Sequence, residues 1–553
     1  MTSKLRAVQS ACEGDVRASN GMAATSQPLA SAAAIEVLKA GGTAVDAAIA
    51  ANAMLGLVEP VGCGLGGDLF AMVWDPSEGG LVGLNASGRS PGGLSLEVLK
   101  SQLDPGQSIP IRGPLSLSVP GCVSGWYALH DRFGRLPMAE LLAPAISTAR
   151  KGYSVTKSIA REWEFDLREL TASDPDSKFT SNLKTLYAPG GGAPDHGELV
   201  SNPEQADTLE IVAEGGERAF YHGEIAERIE SYVGRLGGFL TADDLSNHRS
   251  EWVSPISTDY RGFQVFELPP NTQGITALQM IALAARFDLG DSPSSDSVHA
   301  LIELKKLAFE DRARLYSDPD FGQRSAQDLL FKTRVDALHG QIQTDRVLTN
   351  DAAWLPIDRF GDTCYLTTAD SDGMMVSLIQ SNFRKFGSGL VPDGLGFGLQ
   401  NRGALFALEE NHPNVFAPNK RPFQTIIPAF VLEDGRPLLS FGVMGGAMQP
   451  QGHLQILTNL IDYKMGLHEA GAAARWRHVG SSRPTGYSGL GSGAVVLEDG
   501  FSAEIANGLQ KKGHLVDFAS DIFGGYQAIA WDRDRNEFVG ASDPRKDGMA
   551  LGI

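Results

Sequence analysis

Apolar residues recur at helical and strand spacings over the first third of the chain. Residues 28–40 are rich in alanine, begin with a proline and end before a glycine pair, so this pattern predicts a helix. A second apolar helix is predicted from a cap near Thr43 to about Leu57. Buried strands are predicted at residues 69–74 and 115–119, and further helices at residues 123–132, 138–151 and 297–316.

The character of the sequence changes after residue 362, where short apolar runs and glycine turns predominate. Such runs predict strands. Neither half of the chain supplies strands with an obvious partner sheet of its own, so one interleaved α/β body is predicted. The predicted strands are residues 375–380, 397–399, 427–432, 438–441, 494–497 and 527–531, with helices at residues 449–463, 467–474 and 502–511.

The boundary between these two parts is the most informative segment. A polar, irregular stretch over residues 340–362 precedes Thr363, and residues 364–369 predict a strand that ends in an acidic, glycine-containing hairpin turn. A threonine at the head of a buried strand could become a new chain terminus. Its α-amine, with an ordinary pKa of about 8, would then activate its own hydroxyl. An ordinary strand start is the alternative on this local pattern alone.

Composition limits the class of protein. The chain has 553 residues and 64 glycines, which indicates many tight turns. A net charge of −19 argues against a nucleic-acid or anionic-membrane partner. Residues 1–20 are expected to form a loose leader, and no apolar segment typical of a signal peptide follows the first residues. The longest apolar stretch, residues 44–58, is too short and too polar to span a membrane. The four cysteines have neither a disulfide framework nor zinc-ligand spacing, so we expect a cytoplasmic protein.

A series of ordered motifs runs from about residue 21 to near the end of the chain. It includes Gln27-Pro28-Leu29-Ala30-Ser31, Gly41-Gly42-Thr43-Ala44-Val45-Asp46, Val58-Glu59-Pro60, Gly64-Leu65-Gly66-Gly67, Val119-Pro120-Gly121, Pro418-Asn419-Lys420-Arg421-Pro422, Gly445-Gly446 and Gly540-Ala541-Ser542-Asp543-Pro544-Arg545. Through these motifs the chain resembles the γ-glutamyltransferase (γ-glutamyl transpeptidase) family of N-terminal-nucleophile hydrolases.

The resemblance implies a four-layer αββα sandwich of the α/β (α+β) class, made as a precursor that cleaves itself. Cleavage between Asp362 and Thr363 would give a large subunit of residues 21–362 and a small subunit of residues 363–553, which stay together. The resemblance also implies that Thr363 accepts a γ-glutamyl or related acyl group from an amide or peptide and passes it to water or an amine.

Four catalytic positions follow from the resemblance. Thr363 is the expected nucleophile, and Ser381 falls where the family has a second threonine that hydrogen-bonds the nucleophile. Gly445 and Gly446 match the family's oxyanion hole, where backbone N–H groups can reach an anion because no Cβ intrudes. A cysteine can also be the nucleophile in such enzymes, but Cys364 lies one position too late, so a small core residue is its preferred interpretation. A polar strand end for Ser381 and a simple turn for the glycine pair are the alternatives.

Substrate recognition is where the sequence departs from the family. The groups that bind the α-amino nitrogen of a glutamyl substrate are expected at Phe383, Arg402 and Leu405, and none of these side chains is an ammonium acceptor. Gln424 and Thr425 replace a serine pair for the α-carboxylate. Arg89 could supply a carboxylate clamp, and a surface arginine is the alternative. The short segment 407–417 predicts a cleft without a lid.

Three functions therefore remain open at this stage. The first is a γ-glutamyl hydrolase or transferase that acts on glutathione-like peptides. The second is an amidase for acyl groups that lack the α-amino group, similar to cephalosporin acylases or oxamate amidohydrolases, with Arg384, Lys385 and Arg402 suited to a carboxylate. The third is a non-catalytic binding scaffold. We expect no metal or organic cofactor, a structural role for His453, and two subunits from one precursor, with further dimerisation left open.

Overall fold

The computed structural model describes residues 5, 12–322, 326–348, 363–486, 489 and 493–553. Their strands are β1 (Val16–Ala18), β2 (Gly21–Thr25), β3 (Asp68–Asp75), β4 (Gly80–Ala86), β5 (Tyr153–Ser154), β6 (Leu199–Val200), β7 (Glu251–Val253), β8 (Ile256–Tyr260), β9 (Phe263–Glu267), β10 (Cys364–Asp370), β11 (Met375–Ser381), β12 (Ala429–Glu433), β13 (Arg436–Val443), β14 (Trp476–Val479), β15 (Ala494–Glu498), β16 (Leu515–Ala519), β17 (Tyr526–Asp532), β18 (Glu537–Ser542) and β19 (Met549–Gly552).

The helices lie mostly between these strands in the chain. They are α1 (Pro28–Lys39), α2 (Ala44–Val58), α3 (Leu96–Ser101), α4 (Cys122–Phe133), α5 (Met138–Lys151), α6 (Lys157–Ser173), α7 (Ser181–Tyr187), α8 (Pro203–Tyr221), α9 (Glu224–Arg235), α10 (Ala242–Ser246), α11 (Gly274–Ala284), α12 (Ser295–Leu315), α13 (Lys332–His339), α14 (Met448–Ile461), α15 (Leu467–Ala472) and α16 (Ala503–Lys511). No helix in the described ranges is long and apolar enough to cross a membrane.

Both large sheets take strands from either side of Thr363. In one sheet the order is β19-β2-β10-β11-β3-β4-β7, and in the other it is β1-β18-β17-β13-β12-β9-β8. The β10–β11 hairpin therefore lies between β2 and β3, which precede it by about three hundred residues in the chain. The body is interleaved, as the unpaired strands of each half predicted.

Three apolar cores separate four layers. Along β3, Phe70 and Met72 belong to the core between the two sheets, whereas Leu69 and Ala71 pack toward α2 and α4. This alternation is what a strand produces when both its faces are covered. A third core joins the second sheet to α11, α12 and α14. The layers are therefore helix, sheet, sheet and helix, which confirms the predicted αββα sandwich.

Local sequence explains how the first layer begins. Helix α1 has a proline in its first turn, and α2 begins with a capping box. In that box the Thr43 hydroxyl accepts the N–H of Asp46 at 3.1 Å, and the Asp46 carboxylate accepts the N–H of Thr43 at 3.0 Å. Both helices occur where the sequence predicted them.

Two predicted strands are wrong. Residues 114–116 form a short 3₁₀ helix, and residues 117–119 continue as an extended loop whose Val119 N–H donates to the Arg89 carbonyl. Residues 397–399 are also outside the strands, with a single bridge from Leu399 to Gly66. Both segments are apolar and buried, but their backbone groups bond to loops. Apolar content alone does not distinguish a buried strand from a buried loop.

Two predicted boundaries fall in or near undescribed parts of the chain. Residues 349–362, which include the predicted cleavage position at Asp362, lie outside the described residues. In the predicted leader, residues 1–4 and 6–11 are also outside them, but Val16–Ala18 pairs with β18. The leader is therefore anchored to a sheet at this point.

Candidate functional site

The predicted nucleophile lies at the start of the β10–β11 hairpin. Thr363 immediately precedes β10, and the hairpin register pairs Cys364 with Gln380, which brings Thr363 opposite Ser381. The Thr363 Oγ1 donates to the Ser381 Oγ over 3.3 Å, a long contact for two hydroxyls. The Ser381 Oγ also accepts the N–H of Phe383 at 2.8 Å. Thr363, Ser381 and Phe383 are all buried.

The glycine pair forms the loop between β13 and α14. Gly445 and Gly446 have φ values of 116° and 59°, a region that favours glycine. A Cβ on Gly445 would lie 3.2 Å from the Met448 Cβ and 3.3 Å from the Gly524 Cα. Among the described residues, neither glycine N–H donates an internal hydrogen bond. Both groups are therefore available to an anion at the start of α14, where the helix dipole favours negative charge.

Two cavities meet at this glycine pair. The smaller has a volume of about 240 Å³ and is lined by Thr363, Gly445 and Lys385, among others. The larger has a volume of about 690 Å³ and includes Gly446 and Thr425 in its wall. Arg477 lines both cavities. An amide held over Thr363 can therefore extend past the glycine pair into the larger cavity.

Arg402 is buried behind the residues that line the larger cavity. Arg402 donates from Nη1 to the Thr425 Oγ1 at 2.7 Å, and its guanidinium lies 4.8 Å from the centre of the Phe383 ring. Within the described residues, its Nε and Nη2 atoms have no hydrogen-bond partner. Burial lowers the pKa of Arg402 to about 9, although the Asp68 carboxylate opposes this effect.

The carboxylate of Asp68 is already engaged by neutral groups. It accepts the Gln424 Nε2 at 2.6 Å and the Gly88 N–H at 3.0 Å. Burial raises the pKa of Asp68 to about 6, while Arg402 and these hydrogen bonds oppose the rise. Gln424 is thus directed toward Asp68 and not toward a cavity. Phe383, Leu405 and Thr425 line the larger cavity, so the structure brings these three predicted residues together.

Arg89 is placed elsewhere. Its Nη1 donates to Asp318 at 3.1 Å and to the Asn419 carbonyl at 3.0 Å, and its Nη2 donates to Asp320 at 2.6 Å. It lines neither of the two cavities. The structure therefore does not bring Arg89 to the other predicted residues, because nearby acidic side chains hold it.

The two basic residues after Phe383 diverge from each other. Lys385 pairs with the buried Asp166 carboxylate and lies 3.9 Å from the centre of the Phe165 ring, beside the smaller cavity. Arg384 lines the larger cavity. The predicted basic cluster of Arg384, Lys385 and Arg402 is thus divided among the two cavities and the wall behind the larger one.

The sequence matches the family model described as Gamma-glutamyltranspeptidase over residues 30–553. The chain belongs to this family. It is 37% identical to the glutathione hydrolase-like YwrD proenzyme of Bacillus subtilis, with 95% of this chain and 97% of that protein covered. It is 34% identical to the oxamate amidohydrolase proenzyme of Klebsiella pneumoniae, with 96% and 98% covered.

A solved structure agrees with the family assignment. The crystal structure of cephalosporin acylase from Bacillus halodurans superposes with a TM-score of 0.89 at 38% identity and covers 98% of each chain. The predicted family, the sandwich fold and the assignment to an amidohydrolase class are confirmed. The roles assigned to individual site residues stay predictions.

Two residues of this γ-glutamyltranspeptidase-family site were missed by the sequence reasoning. Glu59 accepts the Cys364 thiol at 3.1 Å, and burial raises the pKa of its carboxyl to about 7. Gln273 donates from Nε2 to the carbonyls of Thr425 and Gly446, at 2.5 and 2.9 Å. Glu59 lies in a motif that carries the resemblance, so its position was visible. Nothing near Gln273 in the sequence connects it to the glycine pair.

Two further predictions concern residues beside the site. Burial raises the pKa of Cys364 well above its ordinary value, which keeps it a thiol in the core. His453 accepts the Val443 N–H through Nε2, so its neutral ring donates from Nδ1 to Glu267 at 2.6 Å. Burial lowers the pKa of this histidine to about 3. These contacts give His453 a structural role between β9, β13 and α14.

The fold also assembles a group that sequence spacing does not reveal. His299, Glu303 and His514 could supply three metal ligands within 4.8 Å of one another. However, Glu303 pairs with Lys306 at 2.6 Å, and the His299 Nδ1 lies 2.7 Å from the His514 Nε2. These contacts satisfy the ligand atoms within the chain, and an adjacent ammonium disfavours a cation.

Proposed function

We propose that this family member is cleaved before Thr363 and then hydrolyses amides through a threonyl ester. The released α-amine takes the proton of the Thr363 hydroxyl while the oxygen attacks the amide carbon. The N–H groups of Gly445 and Gly446 stabilise the resulting oxyanion. The proton passes to the leaving amine, and water then attacks the ester to release the acid and restore the hydroxyl.

The substrate's acyl group is proposed to lie in the larger cavity and to lack an α-amino group. The observation that carries this proposal is the buried guanidinium of Arg402, with Nε and Nη2 unpaired among the described residues. An ammonium group in the larger cavity would meet the apolar side chains of Phe383 and Leu405, with the like charge of Arg402 behind them. Asp68 offers little compensation, since Gln424 and Gly88 already bind its oxygens. A carboxylate suits this environment better.

The names of similar proteins support both main candidates. The names of the cephalosporin acylase and the oxamate amidohydrolase refer to compounds other than γ-glutamyl peptides, whereas the YwrD protein is named for its likeness to glutathione hydrolases. A γ-glutamyl hydrolase is therefore the second candidate. The Arg402 environment favours the amidase for acyl groups that lack the α-amino group. A buried site without an ammonium acceptor discriminates strongly against substrates that carry an ammonium group.

A matched pair of substrates tests the proposal. γ-Glutamyl-p-nitroanilide and glutaryl-p-nitroanilide differ only in the α-amino group. We expect kcat/KM to favour the glutaryl compound by at least about tenfold. A preference of that size for the γ-glutamyl compound would overturn the proposal and would show that another residue binds the ammonium.

A double variant makes the test specific. Leu405→Asp with Arg402→Gln introduces a carboxylate and removes the competing cation, so the ratio should move toward the γ-glutamyl compound. The matched control is Leu405→Asn with Arg402→Gln, which has the same size without the negative charge. If both double variants shift the ratio equally, the introduced carboxylate has no effect. Arg402→Gln alone should also move the ratio toward the γ-glutamyl compound, and an unchanged ratio in that variant would show that the assigned role of Arg402 is wrong.

We also propose that the two fragments remain associated and act in the cytoplasm. The location is supported by the four cysteines, all within the described residues and none in a disulfide. Detection of the protein in a cytoplasmic fraction, separated from periplasmic or extracellular fractions, checks the compartment.

A further inference from the structure

The larger cavity extends well beyond the residues that would hold a glutaryl group. Its volume of about 690 Å³ falls in the range of about 300–1,000 Å³ typical of sites for drug-sized ligands. Helix α12 contributes Lys305, Phe309 and Arg312 to its wall, and the end of β14 with the loop that follows contributes His478 and Ser481. The proposed function leaves this region, here called the inner end, unexplained.

Lys305 is a buried lysine at the inner end, and no described carboxylate pairs with it. Burial and the adjacent cations Arg312 and Lys306 lower the pKa of its amine well below the ordinary value, so an anion bound beside it would favour the protonated form. The Lys305 Nζ lies 3.1 Å from the His478 Nδ1, 3.1 Å from the His478 carbonyl and 2.8 Å from the Ser481 Oγ. This nitrogen also lies 3.8 Å from the centre of the Phe309 ring. In the described ranges it forms no ion pair, although a buried charge is costly without one.

His478 adds an unpaired donor beside this lysine. When Lys305 is protonated its amine can only donate, so the His478 Nδ1 then accepts and the proton of the neutral ring is on Nε2. This Nε2 is buried, and no described residue accepts a hydrogen bond from it. Burial and Lys305 lower the pKa of His478 well below its ordinary value, which keeps the ring neutral. An unpaired buried donor in a cavity wall indicates an acceptor that the protein itself does not provide.

Arg312 supplies a second buried cation. Its Nη1 donates to the Gln273 Oε1 at 2.6 Å, while its Nε has no partner among the described residues. Burial lowers its pKa to about 9. The carboxylates in the cavity wall are Asp104 and Glu409, and both are exposed. The inner end therefore holds the Arg312 guanidinium and the Lys305 amine without a paired carboxylate in the described part of the chain, and a bound anion would stabilise both in their protonated forms.

We propose that the inner end is a subsite for an anionic group, the free carboxylate at the far end of the acyl donor. This inference rests on the proposed function, which locates the acyl group in the larger cavity. Phe309, Phe383, Phe406 and Phe423 line the same cavity, so the part of the acyl group that reaches the subsite is apolar. The substrate class is thus a monoamide of a dicarboxylic acid whose linker is longer or bulkier than that of glutaric acid.

Anilide substrates of increasing length test the subsite. Each ω-carboxyacyl p-nitroanilide, from glutaryl to sebacoyl, is compared with the ω-carboxamide of the same length, which is neutral and nearly isosteric. We expect kcat/KM to favour the carboxylate by at least tenfold at the best length, and that length to exceed glutaryl. Equal rates for the two members at every length would overturn the proposal.

Lys305→Met tests the assigned residue, because methionine retains the apolar stem without the charge. The carboxylate preference should fall at least fivefold through KM, with kcat for the carboxamide changed less than about threefold. Lys332→Met, an exposed lysine paired with Asp336, is the control and should retain the wild-type preference. A Lys305→Met enzyme with the full preference would overturn the assignment.

Ser481→Ala and a binding measurement keep the test independent of the lysine variant. The serine variant removes one hydrogen bond and leaves the ammonium in place, so it should weaken the carboxylate preference less than Lys305→Met. If Lys305→Met does not fold, thermal unfolding of the wild-type enzyme with the free dicarboxylate of the best length replaces it. A raised midpoint, absent with the diamide, supports the subsite, and equal midpoints overturn it.

Failure of the subsite and failure of the proposed function give different results. No member of the anilide series carries an α-amino group, so the series measures only the far anion. The glutaryl and γ-glutamyl pair measures only the α-amino group. A preference for γ-glutamyl with a retained ω-carboxylate effect would contradict the proposed acyl group alone.

Discussion

The proposed chemistry depends on two adjacent hydroxyls, those of Thr363 at the start of β10 and Ser381 at the end of β11. The Ser381 Oγ accepts from both the Thr363 hydroxyl and the Phe383 N–H, so the serine is fixed while it contacts the nucleophile. Phe383 itself has a φ of 76°, which is uncommon for a residue with a side chain. This backbone turn is how the Phe383 N–H reaches back to the serine.

Ser381 is therefore predicted to act as a positioning residue. Ser381→Ala should lower kcat by about tenfold, the worth of one ordinary hydrogen bond, with little change in KM. Ser381→Thr retains the hydroxyl and should recover most of the rate. Steady-state kinetics on processed protein check this result, and an equal loss in both variants would indicate that packing alone matters.

Glu59 is predicted to make stability depend on pH. Burial raises the pKa of its carboxyl from 4.5 to about 7, so the folded protein binds this proton more tightly than the unfolded chain does. Its contribution to stability is therefore most favourable below about pH 4.5 and is lost as the pH rises through 7. The full effect is on the order of 3 kcal/mol.

The measurement compares wild type with Glu59→Gln, which retains an acceptor for the Cys364 thiol. Between pH 5 and pH 8 the thermal midpoint of wild type should fall more than that of the variant. Glu97→Gln, on the exposed face of α3, should behave like wild type. Identical pH slopes in wild type and Glu59→Gln would show that the carboxyl does not titrate in this range.

At the scale of single elements, the sequence predicts those features whose hydrogen bonds form between residues close together in the chain. The cap at Thr43 and the hairpin after Asp370 are encoded by a few adjacent residues, and both occur where predicted. Residues 397–399 show the opposite case. The N–H of Leu399 donates to the Leu390 carbonyl and its own carbonyl accepts from Ser388, so loops and not a strand satisfy this apolar segment.

The loop before α14 gives a prediction at this scale. Gly445→Ala should lower kcat by at least about tenfold, because the new Cβ would crowd Met448 and Gly524 and displace an oxyanion donor. Gly435→Ala, in the β12–β13 turn, introduces a side chain at a φ of 72° where nothing lies within 4 Å. It shares the backbone strain and should lose stability without losing rate.

Similar rates for the two glycine variants, once thermal unfolding shows that both are folded, would contradict the assignment of Gly445. Positive φ alone would then explain why a glycine is found there.

At the scale of the whole molecule, the site combines two kinds of residue. Some can be predicted from sequence motifs, and others are brought together only by the fold. Thr363, Ser381 and the glycine pair were predicted because motifs identify them one by one. Lys305 and His478 lie more than one hundred and seventy residues apart, and only the packing of α12 against β14 brings them together. Arg89 shows the reverse case. Its motif suggested either a substrate contact or a surface arginine, and in the structure acidic residues that are distant in sequence bind it.

Interleaving also predicts how the processed protein behaves. Strand β10 pairs with β2 on one side and β11 pairs with β3 on the other, so strands of the small fragment are hydrogen-bonded within a sheet to strands of the large one. The fragments should co-elute on size exclusion and separate only in denaturant. Separation under native conditions would contradict the shared sheets.

The most direct test of the account is the intact mass and terminal sequence of the purified protein. Wild type should give two chains, the smaller beginning at Thr363, and Thr363→Ala should remain a single chain of 553 residues. An uncleaved wild-type chain that still hydrolyses amides, or an active enzyme whose smaller chain begins elsewhere, would contradict the assignment of Thr363 as an amino-terminal nucleophile.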